Sequence, residues 1–339
     1  MKKKICVIYT GGTIGMVQTK KGYEPSSYYL QENIKTIPQF YTNKMPEFTI
    51  IENNKIFDSA EISVEDWNDI AEIVRKNYEN YNGFVILHGT DTMAYTASAL
   101  SFILDNLEKP VILTGSQIPL SQVRSDGYNN LLNSLYICAN YQINEVTLYF
   151  NNRLYRGNRT TKINSDSFNA FDSPNFNYLL KTGLNIIESA NLNLDNNQQQ
   201  AANKLKINRI ETQCISMIYM YPSMPIELIR QTLNNNIRAA IFLTFGKGNA
   251  AINQDVVDVF KEANKREIII VNSSQCVKGN VDMDTYASGR HFSELGMVSS
   301  GDMTKEATLT KMHFLLSQRL TYNQIKSKLT ENLKGEITI

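Results

Sequence analysis

At 339 residues the chain is more than twice the roughly 100–150 residues of a common single domain, and its 42% hydrophobic content can fill two cores. Lys and Arg number 34 against 33 Asp and Glu, a formal charge of +1 that excludes a general attraction to nucleic acid or anionic lipid. The 3 histidines are too scattered for a His-rich metal centre, and the 4 cysteines, with no C-x-x-C, read as reduced buried thiols.

Lys2, Lys3 and Lys4 open the chain like the basic end of a signal peptide. The apolar run that follows, Ile5–Tyr9, is too short for one and stops in Thr-Gly-Gly. No stretch approaches the roughly 18 apolar residues of a membrane span, so a soluble cytoplasmic protein is expected. Ile5–Tyr9, Phe84–Leu87, Val111–Leu113 and Val146–Phe150 predict buried strands. Helical spacing appears between them. Trp67, Ile70, Ile73 and Val74 line Glu65–Tyr78, a helix is expected over Thr92–Leu104, and Leu131, Leu132, Leu135 and Tyr136 line Asp126–Ala139. This alternation predicts a mostly parallel sheet flanked by helices over residues 1–188.

Asn191–Asn208 is rich in Asn and Gln with little apolar periodicity, which suggests a linker over 189–211. A smaller pattern then restarts over 212–339. Ile215–Met220, Ala239–Phe245 and Ile268–Val271 read as strands; Ile226–Leu233, Gln254–Ala263, Glu306–Leu316 and Asn323–Leu333 read as helices. Asp302 or Thr304 would cap the helix that carries Met312, Leu315 and Leu316 on one face. The fold class expected is two α/β domains, the second a smaller parallel-sheet domain.

Open parallel sheets bind ligands beyond the carboxyl ends of their strands. The first strand runs into Thr10-Gly11-Gly12-Thr13-Ile14-Gly15, which by itself reads as a tight βα turn and matches no phosphate-loop pattern. Another strand runs into Leu87-His88-Gly89-Thr90-Asp91-Thr92-Met93, where Asp91 as a helix N-cap is the plain structural reading. Taken together, the two turns offer two hydroxyls across one crevice, with loop amides as oxyanion donors. A threonine hydroxyl needs a base to become a nucleophile. His88, between Leu87 and Gly89, suits packing or a supporting role better. A lysine can serve, and Arg156–Lys162 brings Lys162 to the same sheet edge. Asp58-Ser59, after the extended stretch Phe48–Phe57, adds a further carboxylate and hydroxyl.

These residues carry a resemblance. Thr10–Met16 and His88–Met93 resemble the two signature segments of the bacterial L-asparaginase (asparaginase/glutaminase) family. Asp58-Ser59, Leu113–Pro119, Arg124–Gly127, Asn151–Lys162, Gly246–Asn249 and Gly301–Ala307 are similar in turn. The similarity runs nearly end to end and is weakest at the linker; the lack of an export signal points to the type I, cytoplasmic branch.

The resemblance implies hydrolysis of L-asparagine to L-aspartate and ammonia, with glutamine as a minor substrate and no metal or cofactor. It assigns Thr13 as nucleophile and Tyr23 as an aid to proton transfer. Thr90, Asp91 and Lys162 form a second group, with Lys162 as base. Ser59 would hold the substrate carboxylate, Asp91 its ammonium, and Asp58 would support the pocket. A homotetramer of paired intimate dimers is implied, with the Gly246–Asn249 loop and the Asp282–Tyr286 region completing a neighbour's site. An allosteric asparagine site around Ser274-Gln275-Cys276 is also implied. Ala60 and Ala251 depart from side chains that exported members carry, which predicts weaker substrate binding. Leu243-Thr244 replaces an Arg-Ser of some relatives, which predicts reduced cooperativity. Two rivals are weighed. One is the ammonia-generating subunit of a tRNA-dependent amidotransferase, whose chains carry an added N-terminal domain. The other is a catalytically silent amino-acid sensor, at odds with Thr13, Thr90, Asp91 and Lys162 all being present.

Overall fold

Ile5 to Gly11 are buried without interruption in strand β1 (Lys4–Gly11). Ile5, Val7 and Tyr9 pack with Leu30, Ile34, Leu131 and Leu135, while Cys6 and Ile8 are buried on the opposite side of the strand. A strand covered on both faces reads as a continuous apolar run, which is why its sequence shows no alternation. The computed structural model describes residues 2–20, 22–26, 29–193, 204–234, 236–251, 253–283 and 287–339. Its contacts divide the chain into two units, Met1–Asn208 and Arg209–Ile339.

In the first unit β1 is followed by a hairpin of β2 (Met16–Thr19) and β3 (Gly22–Pro25), then α1 (Tyr29–Lys35), β4 (Glu47–Phe57), α2 (Val64–Asn77), β5 (Gly83–Leu87) and α3 (Met93–Ile103). Next come β6 (Leu104–Asp105), β7 (Val111–Thr114), α4 (Gly127–Asn140), β8 (Val146–Phe150), β9 (Arg153–Arg156), β10 (Thr161–Lys162) and β11 (Phe171–Asp172). β12 (Leu180–Thr182), β13 (Ile186–Glu188) and β14 (Lys206–Ile207) complete the unit. Eight strands form the main sheet in the order β13-β12-β9-β8-β7-β5-β1-β4. β4, β1, β5, β7 and β8 are mutually parallel; β9, β12 and β13 extend the edge antiparallel.

Local chemistry sets these boundaries. α2 starts at a capping box of Ser63 and Asp66. β8 turns into β9 through Asn151 and Asn152, at φ 44° and 66°, the left-handed pair a tight hairpin needs. That reversal carries the chain back over the sheet edge to Lys162. In the segment expected to be linker, Lys206–Ile207 pairs with Leu104–Asp105, and residues 194–203 lie outside the described residues.

The second unit holds β15 (Ile215–Tyr219), α5 (Ile226–Asn234), β16 (Ala239–Thr244), α6 (Gln254–Lys265), β17 (Ile269–Ser274), α7 (Ala287–Glu294), β18 (Val298–Ser299), α8 (Lys305–Leu316) and α9 (Tyr322–Thr330). Its sheet runs β15-β16-β17-β18, all parallel. Period-two alternation divides β16 between two cores. Ala240 and Phe242 face Val259 and Phe260 of α6, and Ala239 and Ile241 face Met312 and Leu315 of α8 and Leu329 of α9. Of the two caps expected for α8, Thr304 takes the role by accepting from Ala307 N–H at 3.1 Å; Asp302 instead accepts from Thr338 N–H at 2.9 Å. Among the described residues no helix is long and apolar enough to cross a membrane.

Candidate active site

Four strands of the first unit end side by side, and glycines let their loops touch. A Cβ placed on Gly12, at φ 80°, would stand 2.3 Å from the Gly89 nitrogen. On Gly89 it would stand 2.5 Å from Ser59 Oγ, and on Gly115 it would stand 2.2 Å from the His88 carbonyl oxygen. No side chain fits in these gaps, so the loops after β1, β5 and β7 are in main-chain contact, and the Ser59 side chain after β4 closes against Gly89. This brings the Thr13 turn, a 3-10 turn over Thr13–Gly15, against the loop that carries Thr90 and Asp91.

Thr90 is buried at the centre of a hydrogen-bonded group. Lys162 Nζ donates to Thr90 Oγ1 at 2.9 Å and to Asp91 Oδ1 at 2.7 Å, and the Thr90 hydroxyl donates to Gln117 Oε1 at 2.9 Å. Gln117 Nε2 in turn donates to the carbonyls of Ser165 and Ser167, both at 3.2 Å. Two carbonyls on one side of the carboxamide fix its orientation, so its oxygen faces Thr90 and the Thr90 proton points away from Lys162. Gln117 is itself anchored, because Asp126 accepts from the Gln117 and Ile118 N–H groups at 3.0 Å.

Asp91 caps no helix. α3 begins behind Thr92, which makes no side-chain cap bond; its hydroxyl donates to the Ser59 carbonyl at 2.7 Å. The Asp91 carboxylate is committed to Lys162, with its side chain 66% exposed against 17% for Lys162. Ser59 is buried, whereas Asp58 is exposed and accepts from Ala60 N–H at 3.0 Å, closing a short 3-10 turn.

His88 is fully buried and anchors this loop from below. Its Nδ1 lies 2.8 Å from the Gly89 carbonyl and its Nε2 lies 2.9 Å from Thr96 Oγ1, which receives Trp67 Nε1–H at 3.1 Å. A carbonyl can only accept, so the proton sits on Nδ1, Nε2 accepts from Thr96, and the ring is neutral. Burial lowers its pKa from 6.5 to about 4 despite the Gly89 bond that works the other way.

The expected site residues are therefore brought together unequally. Thr90, Asp91 and Lys162 form one bonded group, and Ser59 and Thr13 lie on the loops that abut it. Tyr23 sits on the β2–β3 hairpin that leaves the Thr13 turn; the residue is 46% exposed and its side chain makes no hydrogen bond among the described residues. In the second unit, two segments expected to serve a neighbouring subunit meet, with Asp282 N–H donating to the Lys247 carbonyl at 3.0 Å. Residues 284–286 lie outside the described residues. Gln117 was given no role by sequence reasoning. Its signal is its position on Thr114-Gly115-Ser116-Gln117, a third strand end at the same sheet edge.

Comparison with known proteins follows the same outline. The family description "Asparaginase, N-terminal" matches residues 4–198, and "Glutaminase/Asparaginase C-terminal domain" matches residues 215–329. L-asparaginase 1 of Escherichia coli K12 is 49% identical over 337 residues, covering 99% of this chain and 98% of that one. The crystal structure of L-asparaginase I from Vibrio cholerae superposes with a TM-score of 0.92 at 47% identity, covering all of both chains. The thermostable L-asparaginase from Thermococcus kodakarensis gives a TM-score of 0.87 at 29% identity, covering 99% of each.

Proposed function

The chain belongs to the asparaginase family, and we propose from its own geometry how it hydrolyses L-asparagine to L-aspartate and ammonia. The reading rests above all on the bonded group of Lys162, Thr90 and Asp91, set against the turn that carries Thr13. Thr13 Oγ attacks the side-chain carbonyl carbon of asparagine. Main-chain N–H groups of the two abutting loops steady the oxyanion. The tetrahedral centre collapses as the amide nitrogen takes a proton and leaves as ammonia, which puts an ester on Thr13. Water then adds to the ester, aspartate leaves, and Thr13 regains its proton.

Lys162 is the base in this reading. It takes the proton of the attacking Thr13 hydroxyl through Thr90, 2.9 Å away, and gives it to the leaving nitrogen. It then takes one from the attacking water and gives it to Thr13 Oγ; the ammonium formed in between is held by Asp91 at 2.7 Å. For that transfer the Thr90 hydroxyl turns from Gln117 toward Lys162. Tyr23 assists at Thr13 once the β2–β3 hairpin folds its phenol inward. Ser59 receives the substrate carboxylate. Asp91, which spends Oδ1 on Lys162, receives the substrate ammonium on Oδ2. One further methylene in a pocket is worth only about 1–3 kcal/mol, so glutamine is a slower substrate by the same route. A homotetramer in the cytoplasm belongs to this reading, supported by similarity that extends through the second unit.

Ammonia release from L-asparagine and L-glutamine by the wild type, Thr13→Ala and Thr90→Val tests the assignment. Both substitutions are expected to lower kcat by roughly a thousandfold or more. Near-wild-type turnover of asparagine by Thr13→Ala would show that another group is the nucleophile.

A further inference from the structure

Tyr9 stands near the end of β1, just before the Thr-Gly-Gly turn, with its ring in the core beside Val7, Ile14 and Leu131. The side chain is fully buried, yet its hydroxyl has no hydrogen-bond partner among the described residues. Buried tyrosine hydroxyls nearly always find one, and a phenylalanine would fill the same space without the loss. The hydroxyl is aimed at one place. A Cβ on Gly15 would stand 2.0 Å from Tyr9 Oη and 2.5 Å from Cζ, so the phenol tip lies against the last residue of the Thr13 turn.

That turn is held at the Thr13 carbonyl by Met16 N–H and at the Ile14 carbonyl by Leu120 N–H at 3.1 Å, and less tightly at Gly15. Gly15 N–H reaches the Gly12 carbonyl at 3.3 Å, and Ser26 N–H reaches the Gly15 carbonyl at 3.3 Å, both at the long end of the normal range. The Gly15 end, where both bonds are long and the phenol tip lies, is the part of the turn free to settle, and a carbonyl there keeps a second lone pair for a hydroxyl. Burial first, and the Glu52 carboxylate opposite it on β4 second, keep the phenol protonated at every working pH, so it is always a donor.

We propose that Tyr9 is a positioning residue for the nucleophile, donating its hydroxyl to a main-chain carbonyl of the Thr13–Gly15 turn when that turn settles on bound substrate. The proposal rests on the reading of Thr13 as the attacking group. In the present arrangement the hydroxyl is desolvated and unpaired among the described residues, and ligand binding supplies its partner. The hydroxyl thus weakens the free protein slightly and strengthens the complex, the reverse of an ordinary core contact.

The test is Tyr9→Phe, read by thermal unfolding, by kcat and KM for L-asparagine, and by the shift in Tm that saturating L-aspartate produces. The expected variant is at least as heat-stable as the wild type, with kcat/KM lower by about tenfold, mostly through KM, and a smaller aspartate shift. A kcat/KM within about twofold of wild type overturns the proposal. So does a Tm several degrees lower, because the hydroxyl would then already be bonded in the free protein. If even the wild type releases no ammonia from asparagine, the functional reading fails. The aspartate shift then decides for Tyr9 alone: a smaller shift in Tyr9→Phe supports the role, and equal shifts reject it.

Discussion

His88 shows how a single residue can matter to the site without touching substrate. Its neutral ring links Trp67 and Thr96 to the Gly89 carbonyl, and Gly89 is the residue that abuts both Gly12 and Ser59. The ring keeps this arrangement only while Nε2 is unprotonated, because an imidazolium would turn a donor toward the Thr96 oxygen, which already donates to that nitrogen. Its folded pKa of about 4 lies below the ordinary 6.5, so between those values the unfolded chain binds more protons than the folded one. Stability then rises with pH across that window and is lost as pH falls through it, by up to about 3 kcal/mol. Urea unfolding between pH 7 and pH 4 is expected to show this loss in the wild type and a flatter profile in His88→Gln. Equal pH slopes in the two proteins would assign the acid sensitivity to other groups.

Among the elements, α8 departs most from its sequence pattern. Met312, Leu315 and Leu316 suggest a helix with one apolar face, whereas the structure buries Glu306, Thr308, Thr310, Lys311 and His313 as well. Thr308, Thr310 and Lys311 are tolerated because each finds a partner nearby. Thr308 and Thr310 return their hydroxyls to the carbonyls of Thr304 and Glu306 one turn back. Lys311 lies 2.5 Å from Glu336 in a pair with no exposure, and also donates to the Leu329 carbonyl at 3.0 Å. Burial pulls the Lys311 pKa down and Glu336 pulls it part of the way back. Glu336 further accepts the N–H groups of Leu333 and Lys334, so the pair ties the chain's last turn to α8. Removing one partner alone leaves a buried charge uncompensated. Glu336→Leu is therefore expected to cost about 3–5 kcal/mol in denaturant unfolding, and Lys311→Met with Glu336→Leu to restore most of it. A double variant no more stable than Glu336→Leu would mean that the tail's backbone bonds, rather than the charges, hold this end of the chain.

At the scale of the whole molecule, the parts legible in the sequence are those where burial is simplest. β1, β5, β7, β8, β16 and β17 are covered on both faces and announce themselves as apolar runs, whereas the β2–β3 hairpin and the two-residue strands β10, β11 and β14 are too short or too polar to do so. Lys162 is legible at this sheet edge from its place after the run Val146–Phe150, although the returning strand β9 between them is not. Gln117 is not, because its bond to Thr90 depends on two loops brought together only by the sheet. The near-zero charge has its own consequence for a zwitterionic substrate. A net charge of +1 exerts little pull on a molecule with none, and the groups that matter stand in contact, as Lys162 and Asp91 do at 2.7 Å. Raising ionic strength from about 0.01 M to 0.15 M shortens the Debye length from about 30 Å to about 8 Å, which screens long-range steering but hardly affects groups in contact. Steady-state assays across that range are therefore expected to change kcat/KM for L-asparagine by less than about twofold. A fall of about tenfold or more would reveal a steering field that the even charge count conceals, concentrated on the face where the strand ends of the first unit converge.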